Sequence, residues 1–243
     1  MKRIVDILIS SIGLVIFSPI LLPVLLLVWM QDWHSPFYIA NRVGRGGRTF
    51  NMTKVRSMVI NADKTGVDST GSDDSRITGV GRFIRRYKID ELSQLINVFL
   101  GSMSLVGPRP NVQRDVDLYT KEERRLLAVR PGITDISSIV FSDEGDILRG
   151  FEDPDLAYNQ RIRPGKGELG LLYADNSSFF LDIKLILVTV VAIFSRKSAL
   201  RLLQPILSKL GANSELLLLA RRETELVPRP PVGAKEIVTS RQI

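Results

Sequence analysis

Residues 84–101 read IRRYKIDELSQLINVFLG. Ile89, Leu92, Leu95, Ile96, Phe99 and Leu100 recur at helical spacing, and Gly101 is placed to stop the helix. Asp90 then falls at the N-cap or in the first turn, where backbone N–H groups and the helix dipole favour negative charge. Glu91 stands beside it, and Arg85 and Arg86 lie just upstream. One reading of the stretch is a capped surface helix with solvated arginines. The other is a pair of carboxylates displayed behind a cluster of positive charge.

Composition narrows the chemistry available to such a pair. The 243 residues are 44% hydrophobic, which suits one or two globular units. Cysteine is absent, so disulfides, thiolate catalysis and Cys-based metal sites are excluded. The only histidine is His34, so a His–carboxylate relay elsewhere and a multi-His metal site are excluded too. Covalent chemistry must use Asp, Glu, Ser, Thr, Tyr or Lys, and a metal must be a hard cation held by oxygens. The net charge is +7. Within residues 1–60, Lys2, Arg3, Arg42, Arg45, Arg48, Lys54 and Arg56 face only Asp6 and Asp32. A basic balance fits anionic lipid or a phosphorylated substrate. No aromatic residues interleave with the basic ones, and no nucleic-acid-binding motif is present, which argues against nucleic acid.

That basic excess flanks an apolar segment, residues 4–30, long enough to span a bilayer and followed by no small-residue cleavage site. Ser18–Pro19 and Pro23 lie in its middle, where proline removes a backbone donor and predicts a bend. Basic flanks at both ends favour one face of the membrane, so a re-entrant helix–break–helix is expected, with a kinked ordinary span as the competitor. This gives a membrane hairpin over 1–33, a domain on the cytoplasmic face over 34–196, and a C-terminal amphipathic extension with a mobile tail over 197–243.

The expected fold class is α/β, mostly α. FYIANRV and TFNMTKVRSMV, joined by a turn at Gly44–Gly47, predict a hairpin, and residues 61–75 a loop. Helices are expected over 77–87, roughly 111–128, 151–163, 179–194 and 198–222, the last broken at Pro205 and Gly211. The stretch 179–194 is interrupted by Asp182 and Lys184 and reads as a core or interfacial helix. SLVGPRP and RPGIT are rigid turns.

Lys54, Arg56, Arg85, Arg86 and Arg109 all lie in segments punctuated by glycine or proline, where functional groups tend to be displayed. Arginine forks and helix N-termini both suit phosphate oxygens. A carboxylate beside them can attack phosphorus once its repulsion from phosphate is screened by Arg or Mg²⁺.

KRIVDILISSIGLVIFSP, NRVGRGGRTF, KVRSM, RITGVGRFIRRYKIDELSQLINVFLGSMSLVGPRP and RPGIT, in that order, resemble the bacterial sugar transferase family. These are the small monotopic phosphoglycosyl transferases. The resemblance runs from residue 2 to about 134 and more loosely to about 195. It implies transfer of a sugar-1-phosphate from a UDP-sugar to undecaprenyl phosphate with release of UMP. That reaction opens assembly of O-antigen, capsule, exopolysaccharide or glycoprotein glycans. It implies Asp90 as the nucleophile of a covalent phosphosugar intermediate and Glu91 as its partner, with the Mg²⁺ the family requires held by Glu91 and Asp90. It implies Lys54, Arg56, Arg85 and Arg109 as phosphate-binding groups, and Ser18–Pro19 as the break in the membrane helix. The implied setting is the cytoplasmic face of the bacterial inner membrane, in contact with lipid, with homodimerisation left open. After RPGIT the chain reads DISSIVFSDEGDIL where many members carry a GWAQVNGR-like stretch. The family arginine there has no counterpart at that spacing, and Arg149 or the Arg161/Arg163 pair are the replacements to consider. Two rival readings are a catalytically inactive membrane-bound assembly partner, and a kinked bitopic anchor carrying a soluble phosphate-binding module.

Overall fold

The structure is a computed structural model that describes residues 1–62, 71 and 73–240. Most of the loop expected over 61–75 lies outside the described residues. The architecture is mostly helical with two small sheets. Helix α1 runs Lys2–Met30 and carries Pro19 and Pro23 inside it. It is apolar enough to cross a membrane by length and composition. The expected break at Ser18–Pro19 is absent from its helical assignment. Pro19 has no N–H for the Val15 carbonyl, and the Ser18 hydroxyl donates to that carbonyl instead, at 2.7 Å.

Both ends of α1 are fastened to the rest of the protein. At the start, Lys2 Nζ donates to the Val106 carbonyl at 3.0 Å and pairs with Asp182. Asp6 accepts from Ser104 Oγ at 3.1 Å and from the Leu105 N–H at 3.0 Å. Further along, Leu21, Val24 and Val28 bury against Val55, Ile84 and Ile89. Just past the end, Asp32 pairs with Arg56.

The expected hairpin is present: β1 (Phe37–Val43) pairs antiparallel with β2 (Thr49–Val55), Ala40 opposite Met52. Helix α2 is Gly79–Arg86, with Thr78 capping it through a bond from the Gly81 N–H. The helix expected from residue 89 divides in two. Ile89–Glu91 form a 3-10 turn, and α3 runs Gln94–Leu100. Gly101 ends α3 at φ 93°, and Arg3 donates to the Phe99 carbonyl at 2.6 Å, a cation at the helix C-terminus.

Strand β3 is Ser104–Val106, α4 is Gln113–Asp117, and β4 is Gly132–Thr134. β3 and β4 pair in parallel, which brings GPRP and RPGIT together. A Cβ on Gly132 would lie 2.1 Å from the Gly107 nitrogen, so both positions need glycine for close backbone approach.

Helices α5 (Ile136–Val140), α6 (Glu144–Ile147) and α7 (Pro154–Ala157) follow, and a π-helical turn at Tyr158–Ile162 leads into α8 (Arg163–Asp175). Helix α9 spans Phe179–Phe194, as expected. Helices α10 (Arg196–Lys209) and α11 (Ser214–Arg221) flank Gly211, whose φ is +87°. Pro205 does not break α10. Leu203, Leu207 and Leu216 join the same core as Leu95, Ile139 and Leu185, so the extension is integral to the body. Residues expected to form a mobile tail are seated on it. Thr120 Oγ1 donates to the Val232 carbonyl at 2.6 Å, the Arg229 N–H to the Gln160 carbonyl at 2.9 Å, and Gln160 Nε2 to the Val238 carbonyl at 2.8 Å.

Candidate active site

The Ile89–Glu91 turn is held against β2 by buried polar side chains of the segment that follows it. Ser93 donates to the Thr53 carbonyl at 3.1 Å, and Asn97 Nδ2 donates to the Asn51 carbonyl at 2.7 Å while its Oδ1 accepts from the Thr53 N–H at 2.9 Å. These bonds set Lys54 beside the turn. Lys88, which opens the turn, adopts the left-handed conformation at φ 54°, unusual for a residue with a side chain. Such outliers persist where surrounding contacts over-determine them.

Asp90 is buried, with Lys54 Nζ 3.8 Å from its Oδ2. Glu91 Oε1 accepts from Arg109 Nη2 at 2.6 Å. The two neighbours are therefore in different electrostatic surroundings. Burial pushes the Asp90 carboxyl above its ordinary value and Glu91's charge adds to this, while Lys54, Arg109 and Arg85 pull the other way. Burial would also raise Glu91, but the Arg109 guanidinium with Lys88 and Lys54 overrides it and brings that carboxyl to about 2. Paired titratable groups driven apart in this way are what a division of chemical roles requires.

Of the residues expected to bind phosphate, the structure gathers Lys54 and Arg109 around the dyad. The Arg85 side chain, in the last turn of α2, makes no hydrogen bond or ion pair among the described residues, and its charge acts on Asp90. Arg56 is engaged elsewhere. It grips Asp32 at 2.7 Å through Nη2 and the Ser35 carbonyl at 2.9 Å through Nε, which fastens the end of α1 to β2. Arg56→Met should therefore lower the Tm, by loss of the Asp32 pair and the Ser35 bond. The KM for a nucleotide donor should change less than about threefold. A Tm unchanged beside a large rise in KM would return Arg56 to the site. Ser18 and Pro19 lie in mid-α1.

Among the candidates to replace the family arginine, Arg163 is buried on Glu123 at 2.6 Å, Arg161 donates to the Leu226 carbonyl, and Arg149 pairs with Asp146 at 2.6 Å. None of these bonds reaches the dyad. Ser93 and Asn97 are the positioning residues that the acidic pair did not itself announce; their only sequence signal is that they are polar side chains within an apolar-striped segment that follows the pair.

Among the described residues no three acidic or histidine side chains cluster as a metal cage. The dyad offers two carboxylates, with one oxygen of Glu91 taken by Arg109. That donor set fits Mg²⁺, which is commonly held by one or two carboxylates with substrate phosphates and water completing the shell. A buried carboxylate, a second held ionised, and three cations around them can accept a diphosphate and attack it.

A profile for bacterial sugar transferases matches residues 1–196. A UDP-N-acetylgalactosamine-undecaprenyl-phosphate N-acetylgalactosaminephosphotransferase of Aeromonas hydrophila is 34% identical over 80% of this chain and 44% of its own length. A UDP-glucose:undecaprenyl-phosphate glucose-1-phosphate transferase of Klebsiella pneumoniae is 35% identical over 82% of this chain and 41% of its own. The exopolysaccharide production protein ExoY of Sinorhizobium fredii is 32% identical over 79% of this chain and 84% of its own. The chain thus spans less than half of the two transferases and most of ExoY.

Proposed function

Because the chain belongs to the bacterial sugar transferase family, we propose that it moves a sugar-1-phosphate from a UDP-sugar to undecaprenyl phosphate. A carboxylate oxygen of Asp90 attacks the β-phosphorus of the donor. The bond from that phosphorus to the bridging oxygen breaks, and UMP leaves with the bond's electron pair. A phosphate oxygen of the polyprenyl acceptor then attacks the same phosphorus and frees Asp90, leaving a polyprenyl diphosphate sugar. Arg109, Lys54 and Arg85 hold the diphosphate and offset its charge. Magnesium held by Asp90 and Glu91 would supply further charge screening at the diphosphate. The observation that carries this reading is the dyad itself, with Asp90 buried and Glu91 pinned as an anion by Arg109.

The direct test is UMP release by the detergent-solubilised protein given Mg²⁺, undecaprenyl phosphate and a panel of UDP-sugars. Release from at least one donor is expected. No release from any would leave the inactive-partner reading. The donor names of the relatives differ, so the panel must include both N-acetylhexosamine and hexose donors.

Only ionised Asp90 attacks, so activity should fall as pH drops through its raised pKa, above the ordinary value of about 3.9. Lys54 pulls that pKa down. Lys54→Met should therefore move the acid limb of kcat/KM to higher pH. An acid limb that stays in place would remove Asp90 ionisation as its cause.

We also propose that the catalytic body and both flanks of α1 lie on the cytoplasmic face of the inner membrane, with α1 entering and returning to the same side. Fastening of both ends to one body supports this. Pulling the polyprenyl chain from the bilayer would cost about 0.8 kcal/mol per CH₂, so an enzyme at the interface avoids a prohibitive step. A cysteine fused ahead of Met1 and another at Ser240 should react equally with an impermeant maleimide on vesicles of one orientation. Labelling of only one would indicate a bitopic anchor.

A further inference from the structure

Beside Arg109 lies a cavity of about 40 Å³. Pro108, Asn111, Tyr119, Leu126 and Tyr158 line it with Arg109. We propose that this cavity receives the acylamino group at C2 of the donor's hexose, which makes the enzyme selective for UDP-N-acetylhexosamines. The inference rests on the transfer reaction proposed above.

Position is the first argument. Arg109 forms one wall of the cavity and also bonds Glu91, so a phosphate held by that arginine places its sugar at the cavity mouth. The C2 substituent is the one nearest to the anomeric phosphate. Size is the second. The space admits about three water-sized groups. That suits an acetyl amide.

Chemistry is the third. The charged groups in and around the wall are already matched within the protein. Arg163 is paired with Glu123, Lys166 with Glu144, and Asp135 accepts from Ser137 at 2.8 Å. Apart from Arg109 and these matched groups, the wall presents neutral side chains. Asn111 Nδ2 donates to Tyr119 Oη at 2.8 Å, and Asn111 Oδ1 has no hydrogen-bond partner among the described residues, so it is available as an acceptor. Among the described residues the Tyr158 hydroxyl has no hydrogen-bond partner, and burial keeps it a protonated donor. One acceptor and one donor complement the N–H and C=O of an amide, and Leu126 and Pro108 complement its methyl. A cavity wall built to hydrogen-bond a group rejects an analogue that lacks it, because the wall groups are left unpaired.

The wall is also braced. Tyr158 lies in the π-helical turn, a geometry often found at functional sites. Val232 of the C-terminal segment lies against Gly167, where an added Cβ would sit 3.0 Å from its Cγ2.

The test compares UDP-N-acetylglucosamine with UDP-glucose, and UDP-N-acetylgalactosamine with UDP-galactose, on the full chain with Mg²⁺ and undecaprenyl phosphate. The wild type should favour the N-acetylated member of at least one pair by tenfold or more in kcat/KM. Tyr158→Phe should bring that ratio down severalfold toward one. A wild type that prefers the plain hexose, or a Tyr158→Phe variant that leaves the ratio unchanged, overturns the proposal. Calorimetric binding of the same donor pairs to the wild type is the second measurement. It keeps the assignment testable if the variant fails to fold. If no donor is turned over, the transfer reading fails by itself, and the binding preference alone decides the cavity: tighter N-acetylated donors uphold it, equal affinities overturn it.

Discussion

Asp90→Asn should lower UMP release by at least about ten-thousand-fold, the scale expected when a covalent nucleophile is removed. The substitution keeps the size of the side chain and its fit in the turn, so the fold survives. Asparagine removes the attacking anion while leaving Lys54, Arg109 and Glu91 in place. Donor binding should therefore persist. It should tighten if repulsion between the Asp90 carboxylate and the diphosphate weakens ground-state binding. Residual turnover within tenfold of the wild type, with unchanged donor affinity, would assign the nucleophile elsewhere.

Arg109→Met is expected to cost about 10²–10³-fold in kcat, by loss of a preorganised cation at the reacting phosphate. It also strips Glu91 of its 2.6 Å partner. A buried carboxylate without that partner is driven toward protonation, so the Glu91 pKa should rise well above 2. Arg109→Lys restores charge without the planar fork and should recover only part of the activity. Full recovery by lysine would show that charge alone, and not fork geometry, is what the reaction uses. The rigidity of Arg109 has a structural source. It stands between two prolines, and its backbone is fixed where Gly107 donates to the Thr134 carbonyl at 3.0 Å and Gly132 to the Pro108 carbonyl at 3.1 Å.

Much of this arrangement was legible in the sequence, and the exceptions have physical causes. The extended runs on either side of Gly44–Gly47 identified the β1–β2 hairpin. Helical spacing and Gly101 identified the end of α3. The dyad stood out because two acids began an apolar-striped segment. The helix expected over 111–128 is instead α4 and a separate 3-10 stretch at Glu123–Ala128. A capping box separates them: Thr120 Oγ1 accepts from the Glu123 N–H at 3.1 Å, and Glu123 Oε2 from the Thr120 N–H at 3.0 Å. Helix α8 was overlooked because Gly165, Gly167 and Gly170 lower helix propensity. Packing requires them there. A Cβ at Gly165 would meet the Phe141 ring at 2.8 Å, and one at Gly170 would meet Leu126 at 2.8 Å. The parallel pairing of β3 with β4, the diversion of Arg56 to Asp32, and the docking of residues 226–238 depend on contacts distant in sequence. No local pattern encodes them.

The measurement closest to the central claim omits the acceptor. The protein is mixed with Mg²⁺ and a UDP-sugar that it turns over, quenched, and analysed by intact mass and peptide mapping. The account predicts one sugar-phosphate adduct per chain, carried by Asp90, with one equivalent of UMP released before any polyprenyl phosphate is added. UMP that appears only with the acceptor present, with no adduct on the protein, would contradict it.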